Sequence, residues 1–211
     1  NGDLKLETLV MSCNNITSNA TTLLSDFLAT DPPLKNLDLS QNDLNDNDAA
    51  LLANALRSNK SLRMLHLECT DITNVGGESF RLVLNDDSTL NAVSDSNHSC
   101  TVYLSNVNTP WNNAMNYEYM NDLDRARKSN RARKIYKLLS SRHKSMSNAQ
   151  HFGDTDVNVL PHMFEAVQKY AEPDTDYTGY VAGIPLLPAL SIVYEVMRKW
   201  DKVFPVYDPK E

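Results

Sequence analysis

Apolar residues recur with a spacing of 28 positions through the first half of the chain. Two rows keep this spacing: Leu6, Leu34, Leu62 and Leu90, and then Leu9, Leu37, Leu65 and Val93. Around these rows apolar and polar residues alternate, as in LKNLDLSQNDL, which predicts a short strand. Later in each unit the apolar spacing changes to three and four, as in Leu24, Phe27 and Leu28, which predicts a helix. We therefore expect strand-helix units that start near Leu6, Leu34, Leu62 and Leu90.

A single strand-helix unit cannot bury its apolar side alone, so neighbouring units are expected to stack. Stacking places the strands in one parallel sheet on the inside and the helices on the outside. Because a helix is wider than a strand, the stack should curve into a horseshoe with the strands on the concave side. The predicted fold class is α/β, and residues 1–105 form the repeat domain.

Three segments, LETLVMSCNNI, LKNLDLSQNDL and LRMLHLECTDI, match the pattern L-x-x-L-x-L-x-x-N-x-L. With its 28-residue unit and full helix, the chain resembles the ribonuclease-inhibitor type of leucine-rich-repeat protein. The resemblance implies binding of a partner through the concave surface. Asn14 and Asn42, at the ninth position of their units, are expected to hydrogen-bond the backbone where the strand ends, and Thr70 and His98 less effectively.

Residues 106–211 lack the repeat and are predicted to form an all-α cap on the last strand. Apolar spacing predicts helices near Trp111 to His143, Val157 to Tyr170 and Leu186 to Phe204, and the last could instead receive a partner helix. The uncharged stretch from Tyr177 to Tyr194 approaches the length of a membrane span, but its glycines and prolines favour a buried turn and core helix.

Charge and cysteine usage narrow the function further. The net charge of −7 argues against non-specific binding to nucleic acid. Three cysteines without paired spacing fit a reducing compartment, so an intracellular, cytoplasmic location is expected. The block from Arg125 to Lys144 is basic, and is interpreted as a solvated helix face or, alternatively, a patch for an acidic partner, RNA or lipid.

Positions three, five and seven of each unit should point to the concave surface. They read Thr8, Val10, Ser12; Asn36, Asp38, Ser40; Met64, His66, Glu68; and Ala92, Ser94, Ser96. Asn36, Asp38, Met64, His66 and Glu68 are the predicted partner-binding residues, with a plain solvated face as the alternative.

Two arrangements of these residues could be mistaken for catalytic or metal sites. Asp38, His66 and Ser94 would form a row with the residue set of a serine hydrolase, but an open sheet provides no oxyanion hole. Asp95, His98 and Cys100 are interpreted as the end of the repeats rather than a metal or catalytic cluster. The sequence predicts no catalytic residues, no metal site and no cofactor.

These observations predict a protein-interaction scaffold that is not an enzyme. Two alternatives stay open, since the repeat type also occurs in the Ran GTPase-activating protein and in regulatory repeat domains of larger signalling proteins. The chain holds no phosphate-binding or dinucleotide-binding motif. Its partner and oligomeric state are not predicted.

Overall fold

The computed structural model describes residues 5–105, 107, 109, 111–113, 122–144 and 155–171. Its elements, in chain order, are β1 Thr8–Val10, α1 Ser18–Ala29, β2 Asn36–Asp38, α2 Asp46–Ala55, β3 Met64–His66, α3 Asn74–Leu84, α4 Leu90–Asp95, β4 Thr101–Tyr103, α5 Leu123–Lys144, a 3-10 turn Val157–Val159 and α6 Leu160–Ala171. The chain divides into two compact units, Asn1–Asp86 with Ser96–Asn130, and Asp87–Asp95 with Arg131–Glu211.

The first unit contains a parallel four-stranded sheet in the order β1-β2-β3-β4. Leu9 pairs with Leu37 and Leu37 with Leu65, so residues 28 apart occupy equivalent places on neighbouring strands. Leu37, Leu39 and Leu65 are fully buried against the helices, while the residues beside them on the strands are half-buried. The predicted α/β fold with stacked strand-helix units is confirmed for the first three units.

The predicted fourth unit near Leu90 is wrong. Residues Leu90–Asp95 form helix α4, and the fourth strand lies at Thr101–Tyr103, where Val102 pairs with Leu65. A strand in the predicted register would turn the Asp95 carboxylate into the apolar interior, at a cost of several kcal/mol for an unpaired charge. Val102, only 1% exposed, fills the interior instead.

Helices α1 to α3 cover one face of the sheet, and polar side chains cap the starts of α2 and α3. Asn45 accepts a hydrogen bond from Asn47 N, and the buried Asp48 accepts from Asn45 N, which forms a capping box for α2. The Asp46 carboxylate bonds Thr73 at the start of α3 and also Gly76 N. This side chain therefore links two consecutive strand-helix units, each of which we call a coil.

Gly76 lies where α3 approaches the preceding coil most closely. A Cβ at this position would lie 2.6 Å from Asp46 Oδ1 and 2.8 Å from both Ala49 Cβ and Ile72 Cγ2. The close approach of the two helices consequently requires a residue without a side chain.

Asn42 performs the backbone role predicted for the ninth position. It is 5% exposed; its Oδ1 accepts from the N–H groups of Asn14 and Ile16, each at 3.0 Å. Its Nδ2 donates to three carbonyl groups of the same two coils, at Met11, Leu39 and Ser40.

The other three residues predicted for this role differ from Asn42. Asn14 is exposed and its side chain donates only to Ser12 O among the described residues, whereas the Thr70 hydroxyl donates to Leu67 O. His98 is not at a ninth position, because the fourth strand begins after it.

A second set of buried asparagines, which the sequence analysis missed, links consecutive coils just before the strands begin. The Asn59 amide donates to Leu28 O and accepts from Leu62 N. Asn97 repeats the pattern one coil later, since it donates to Leu56 O and Asn59 O and accepts from Ser99 N and Cys100 N. Asn97 thus positions the residues that lead into β4.

The outer edge of β4 is covered by an irregular segment of the same unit. The Asn112 side chain accepts a hydrogen bond from Val102 N and donates one to Val102 O. Asn113 donates to Asn97 O and Cys100 O, and Trp111 packs against the core. The Asn112 amide therefore occupies the backbone groups of Val102 that a further strand would otherwise bond.

The second unit is helical in its described part, and its core is formed by α4, α5, the 3-10 turn and α6. Its buried residues are Leu90, Val93, Ala132, Ile135, Tyr136, Leu139, Val159, Leu160, Met163, Ala166 and Val167. The predicted helix near Val157 to Tyr170 is confirmed, and α5 confirms the part of the helix predicted to end at His143 that starts at Leu123. The predicted start at Trp111 is wrong, because residues 111–113 are not helical and Asn112 instead bonds the edge of β4. The predicted helix at Leu186 to Phe204 and the stretch from Tyr177 to Tyr194 lie outside the described residues. Within the described residues, no helix has the length and apolar character needed to span a membrane.

Candidate partner-binding face

The sheet face opposite the helices carries mainly polar side chains, and we call it the ladder face. It consists of positions three, five and seven of the coils: Thr8, Val10, Ser12, Asn36, Asp38, Ser40, Met64, His66, Glu68, Thr101, Tyr103 and Ser105. No Lys or Arg occupies any of these positions, whereas Asp38 and Glu68 supply two carboxylates. The ladder face is therefore acidic at neutral pH.

The fifth position forms a row across the four strands. It reads Val10, Asp38, His66 and Tyr103, because each residue pairs with the next in the sheet register. The rings of His66 and Tyr103 are stacked, with centroids 4.5 Å apart and planes inclined by 6°. Since neighbouring strands lie about 4.8 Å apart, the stack follows the row across the sheet.

The carboxylates are held in place by serine and histidine side chains of the same face. Asp38 Oδ1 accepts from Ser40 N at 2.9 Å, and Glu68 Oε2 accepts from Ser40 Oγ at 3.0 Å. Glu68 Oε1 lies 3.3 Å from His66 Nδ1. Burial alone would raise the pKa of Asp38, but the hydrogen bonds from Ser40 and the nearby His66 lower it below the usual range. Asp38 is thus kept ionised in a half-buried position.

The third position of the coils is less charged and partly apolar. Asn36 Nδ2 donates to Thr8 Oγ1 at 3.2 Å, and Asn36 Oδ1 is buried without a hydrogen-bond partner among the described residues. Met64, its neighbour on β3, is half-buried. All five predicted partner-binding residues therefore lie together on one face of the sheet.

The row that resembled a catalytic triad is not formed. Ser94 lies in α4 and the fourth place in the row is taken by Tyr103, so no serine hydroxyl follows His66 across the strands. Ser94 is absent from the row because the fourth strand lies at Thr101–Tyr103 and not near Leu90.

Asp95 lies at the end of α4, whereas His98 and Cys100 lie in the segment that leads into β4. Cys100 is fully buried, and burial raises the pKa of its thiol well above the usual value, which leaves it protonated and unreactive. The described residues contain no group of three or more His, Cys, Asp or Glu side chains placed to hold a metal ion. Cys13 and Cys69 are exposed free thiols.

The basic block from Arg125 to Lys144 is not one solvated face. Lys134 and Arg142 are 4% and 8% exposed, whereas Arg125, Lys128 and Lys137 are exposed. Burial lowers the pKa of Lys134 well below its usual value, and the charge of Arg133 adds to the effect. Some basic side chains of α5 are therefore buried, and others are exposed to solvent.

The sequence analysis missed three ladder-face residues, Thr101, Tyr103 and Ser105, of which Tyr103 stacks on His66. The strict spacing of 28 placed the fourth strand too early, and the stack with His66 depends on the strand that actually pairs with β3. A usable signal was present in TVYL, where apolar Val102 and Leu104 alternate with Thr101 and Tyr103.

Two stretches of the first unit match a family model. The model described as Leucine Rich repeat matches residues 30–53 and again residues 58–80. The chain carries leucine-rich repeats. The matched stretches include β2 and β3. Four of the five predicted partner-binding residues lie in these strands, and the fifth, Glu68, follows β3 within the second match. A search of curated proteins finds no match for this leucine-rich-repeat chain.

Proposed function

We propose that this leucine-rich-repeat chain is a non-enzymatic protein-interaction scaffold of the ribonuclease-inhibitor type, and that it binds its partner through the ladder face. The observation that carries the proposal is the register of the sheet. Polar side chains at the third, fifth and seventh positions recur on adjacent strands about 4.8 Å apart, so a partner can contact several coils at once.

The support for this surface comes from side chains that are both fixed and accessible. The side chains of His66 and Glu68 are 32% and 37% exposed, and their contacts with each other and with Ser40 restrict their rotamers. Ordered side chains lose little conformational entropy when a partner binds, which favours affinity. The proposed contact residues are Asn36, Asp38, Met64, His66 and Glu68.

The proposal also covers the curvature of the repeats, the C-terminal helices, the cellular location and the class of partner. We infer that the coils curve into a horseshoe with the ladder face on the concave side, and that the helices within residues 106–211 form a C-terminal cap. A cytoplasmic location accords with the two exposed free thiols, Cys13 and Cys69. The net charge of −7 disfavours a nucleic-acid partner.

The experiment compares partner capture by three forms of the full chain. The wild type is compared with a double variant, Asp38→Lys with Glu68→Lys, and with a control, Asp43→Lys with Asp26→Lys, which makes the same charge change at exposed positions away from the ladder face. Proteins captured from an extract are quantified by mass spectrometry after each variant is shown to be folded by circular dichroism.

We expect a defined set of proteins to be retained by the wild type and the control and lost by the ladder-face variant. Reversing two charges places like charges opposite a complementary partner, which costs several kcal/mol. Equal retention by all three forms would exclude the ladder face as the binding surface.

A further inference from the structure

We propose that the ladder face contains a subsite for one arginine side chain of a basic protein partner, located above Asp38 and beside the ring of His66. The inference rests on the proposed function and specifies the chemistry of the partner. Asp38, His66, Tyr103 and Val10 define the subsite, because they form the fifth-position row.

The orientation of the His66 ring creates one wall of the subsite. One face of this ring is stacked on Tyr103, at 4.5 Å and within 6° of parallel. Because the stack follows the row, the opposite ring face is directed towards β2, where the next residue in the row is Asp38. A flat ring face next to a carboxylate is therefore available on this side of His66.

Val10 on β1 forms the opposite wall. Strands β1 and β3 are two strand spacings apart, about 10 Å, and the side chain between them is the short, half-buried Asp38. Val10 is 64% exposed. The resulting slot has an aromatic wall, an aliphatic wall and a carboxylate floor, and a planar group can enter it edge-on.

The chemistry of the slot fits a guanidinium group better than an ammonium group. A guanidinium is planar, stacks on aromatic rings and donates two parallel hydrogen bonds to a carboxylate. A lysine ammonium is a compact and strongly hydrated charge that cannot stack over its whole area. The same-face carboxylate of Glu68, which bonds Ser40 and contacts His66, adds attraction for either cation.

In the part of the chain that the structure describes, the lysine and the arginine that precede β2 and β3 lie at the opposite end of these strands from Asp38 and Glu68. Lys35 lies before β2, at the opposite end of the strand from Asp38, and is paired with Glu7. Arg63 lies before β3 in the same way. The positive charge that complements Asp38 and Glu68 is therefore expected from the partner.

The test is a titration of the full chain with two small probes, N-acetyl-arginine methylamide and N-acetyl-lysine methylamide, at matched ionic strength. Binding is followed by NMR through the ring signals of the five histidines, with the His66 signals assigned from their loss in His66→Phe. We expect saturable shifts of the His66 signals with the arginine probe and at least several-fold weaker binding of the lysine probe.

Three variants test the walls and the floor of the slot separately. Asp38→Asn should weaken binding of the arginine probe about twofold to fivefold, since it removes one half-exposed charge pair. Asp43→Asn, which removes an exposed carboxylate elsewhere in the same coil, should leave binding unchanged. With the Tyr103 signals as the readout, His66→Phe should retain binding because it keeps an aromatic ring, whereas His66→Leu should reduce it several-fold.

Each outcome decides either the inference or the proposed function. Equal binding of the two probes, equal effects of Asp38→Asn and Asp43→Asn, or no shift at His66 would overturn the arginine subsite. If ladder-face variants still abolish partner capture in that case, the proposed function stands without the subsite. If capture is unaffected while the arginine probe binds as expected, the slot exists but is not the scaffold's binding surface.

Discussion

Replacing Asn42 with Ala should destabilise the leucine-rich-repeat unit far more than the same change at Asn14, 28 residues earlier. The Asn42 amide bonds two N–H groups and three carbonyl groups of two adjacent coils. Of these contacts, those to Ile16 N and Leu39 O are buried, so water cannot replace them. An unsatisfied buried backbone group costs about 1–3 kcal/mol, which gives about 3 kcal/mol for Asn42→Ala.

The assay is urea unfolding followed by circular dichroism. With an m value of about 2 kcal/mol/M, a loss of about 3 kcal/mol lowers the midpoint by about 1.5 M urea. Asn14→Ala is the matched control, because Asn14 is exposed and its side chain makes one hydrogen bond, to Ser12 O, among the described residues. Its midpoint should change by no more than the equivalent of about 0.5 kcal/mol.

A second substitution separates hydrogen bonding from loss of volume. Asn42→Asp keeps the shape and the acceptor oxygen, but it replaces three N–H···O contacts with a carboxylate facing carbonyl oxygens. It should therefore be at least as destabilising as Asn42→Ala at neutral pH. If Asn42→Ala costs no more than Asn14→Ala, or if Asn42→Asp is harmless, the amide does not hold the coils together.

Three further predictions concern the reactivity of the cysteines, the helix contact at Gly76 and the buried Lys134. Two thiols, those of Cys13 and Cys69, should react rapidly with a disulfide reagent in the folded chain, and Cys100 should react only after denaturation; three fast thiols would contradict its burial. Gly76→Ala should lower the free energy of unfolding by about 1–3 kcal/mol through overpacking, as measured by urea unfolding, whereas a gain from helix propensity would show that the helices can separate. Because the pKa of Lys134 is lowered in the folded chain, the unfolded chain binds more protons between that lowered value and 10.5, so stability should rise with pH in this window. Lys134→Met should flatten this dependence in urea midpoints measured across pH, and an unchanged slope would contradict it.

The sheet and its register could be predicted because the signal is strictly periodic. Leu37 and Leu65 occupy equivalent positions on neighbouring strands and are both fully buried, so the pattern of one coil predicts the position of the next. The amide of Asn42 was predictable on the same basis. The periodic argument failed at Leu90, where apolar spacing continued by coincidence while Asp95 conflicted with an inward position. In that case the cost of burying a charge decided the structure, and spacing did not.

The candidate site was predictable in its residues but not in its geometry. Asp38, His66 and Glu68 were identified from position alone, since every strand residue beside an inward leucine points to the same face. The stack of His66 on Tyr103 depends on a strand that follows a longer connection than the repeat length. The burial of Lys134 was also not predictable, because the composition of α5 alone does not show which side chains meet the core.

The pair of hydrogen bonds between Asn112 and Val102 gives the array a direction. Backbone groups on that flank are already occupied by an amide side chain, so a new strand cannot be added there without displacing it. The flank formed by β1 has no strand paired with it among the described residues. A longer array could therefore be engineered by duplicating one 28-residue coil, such as residues 34–61, upstream of β3. The segment around Asn112 that covers β4 would be left intact.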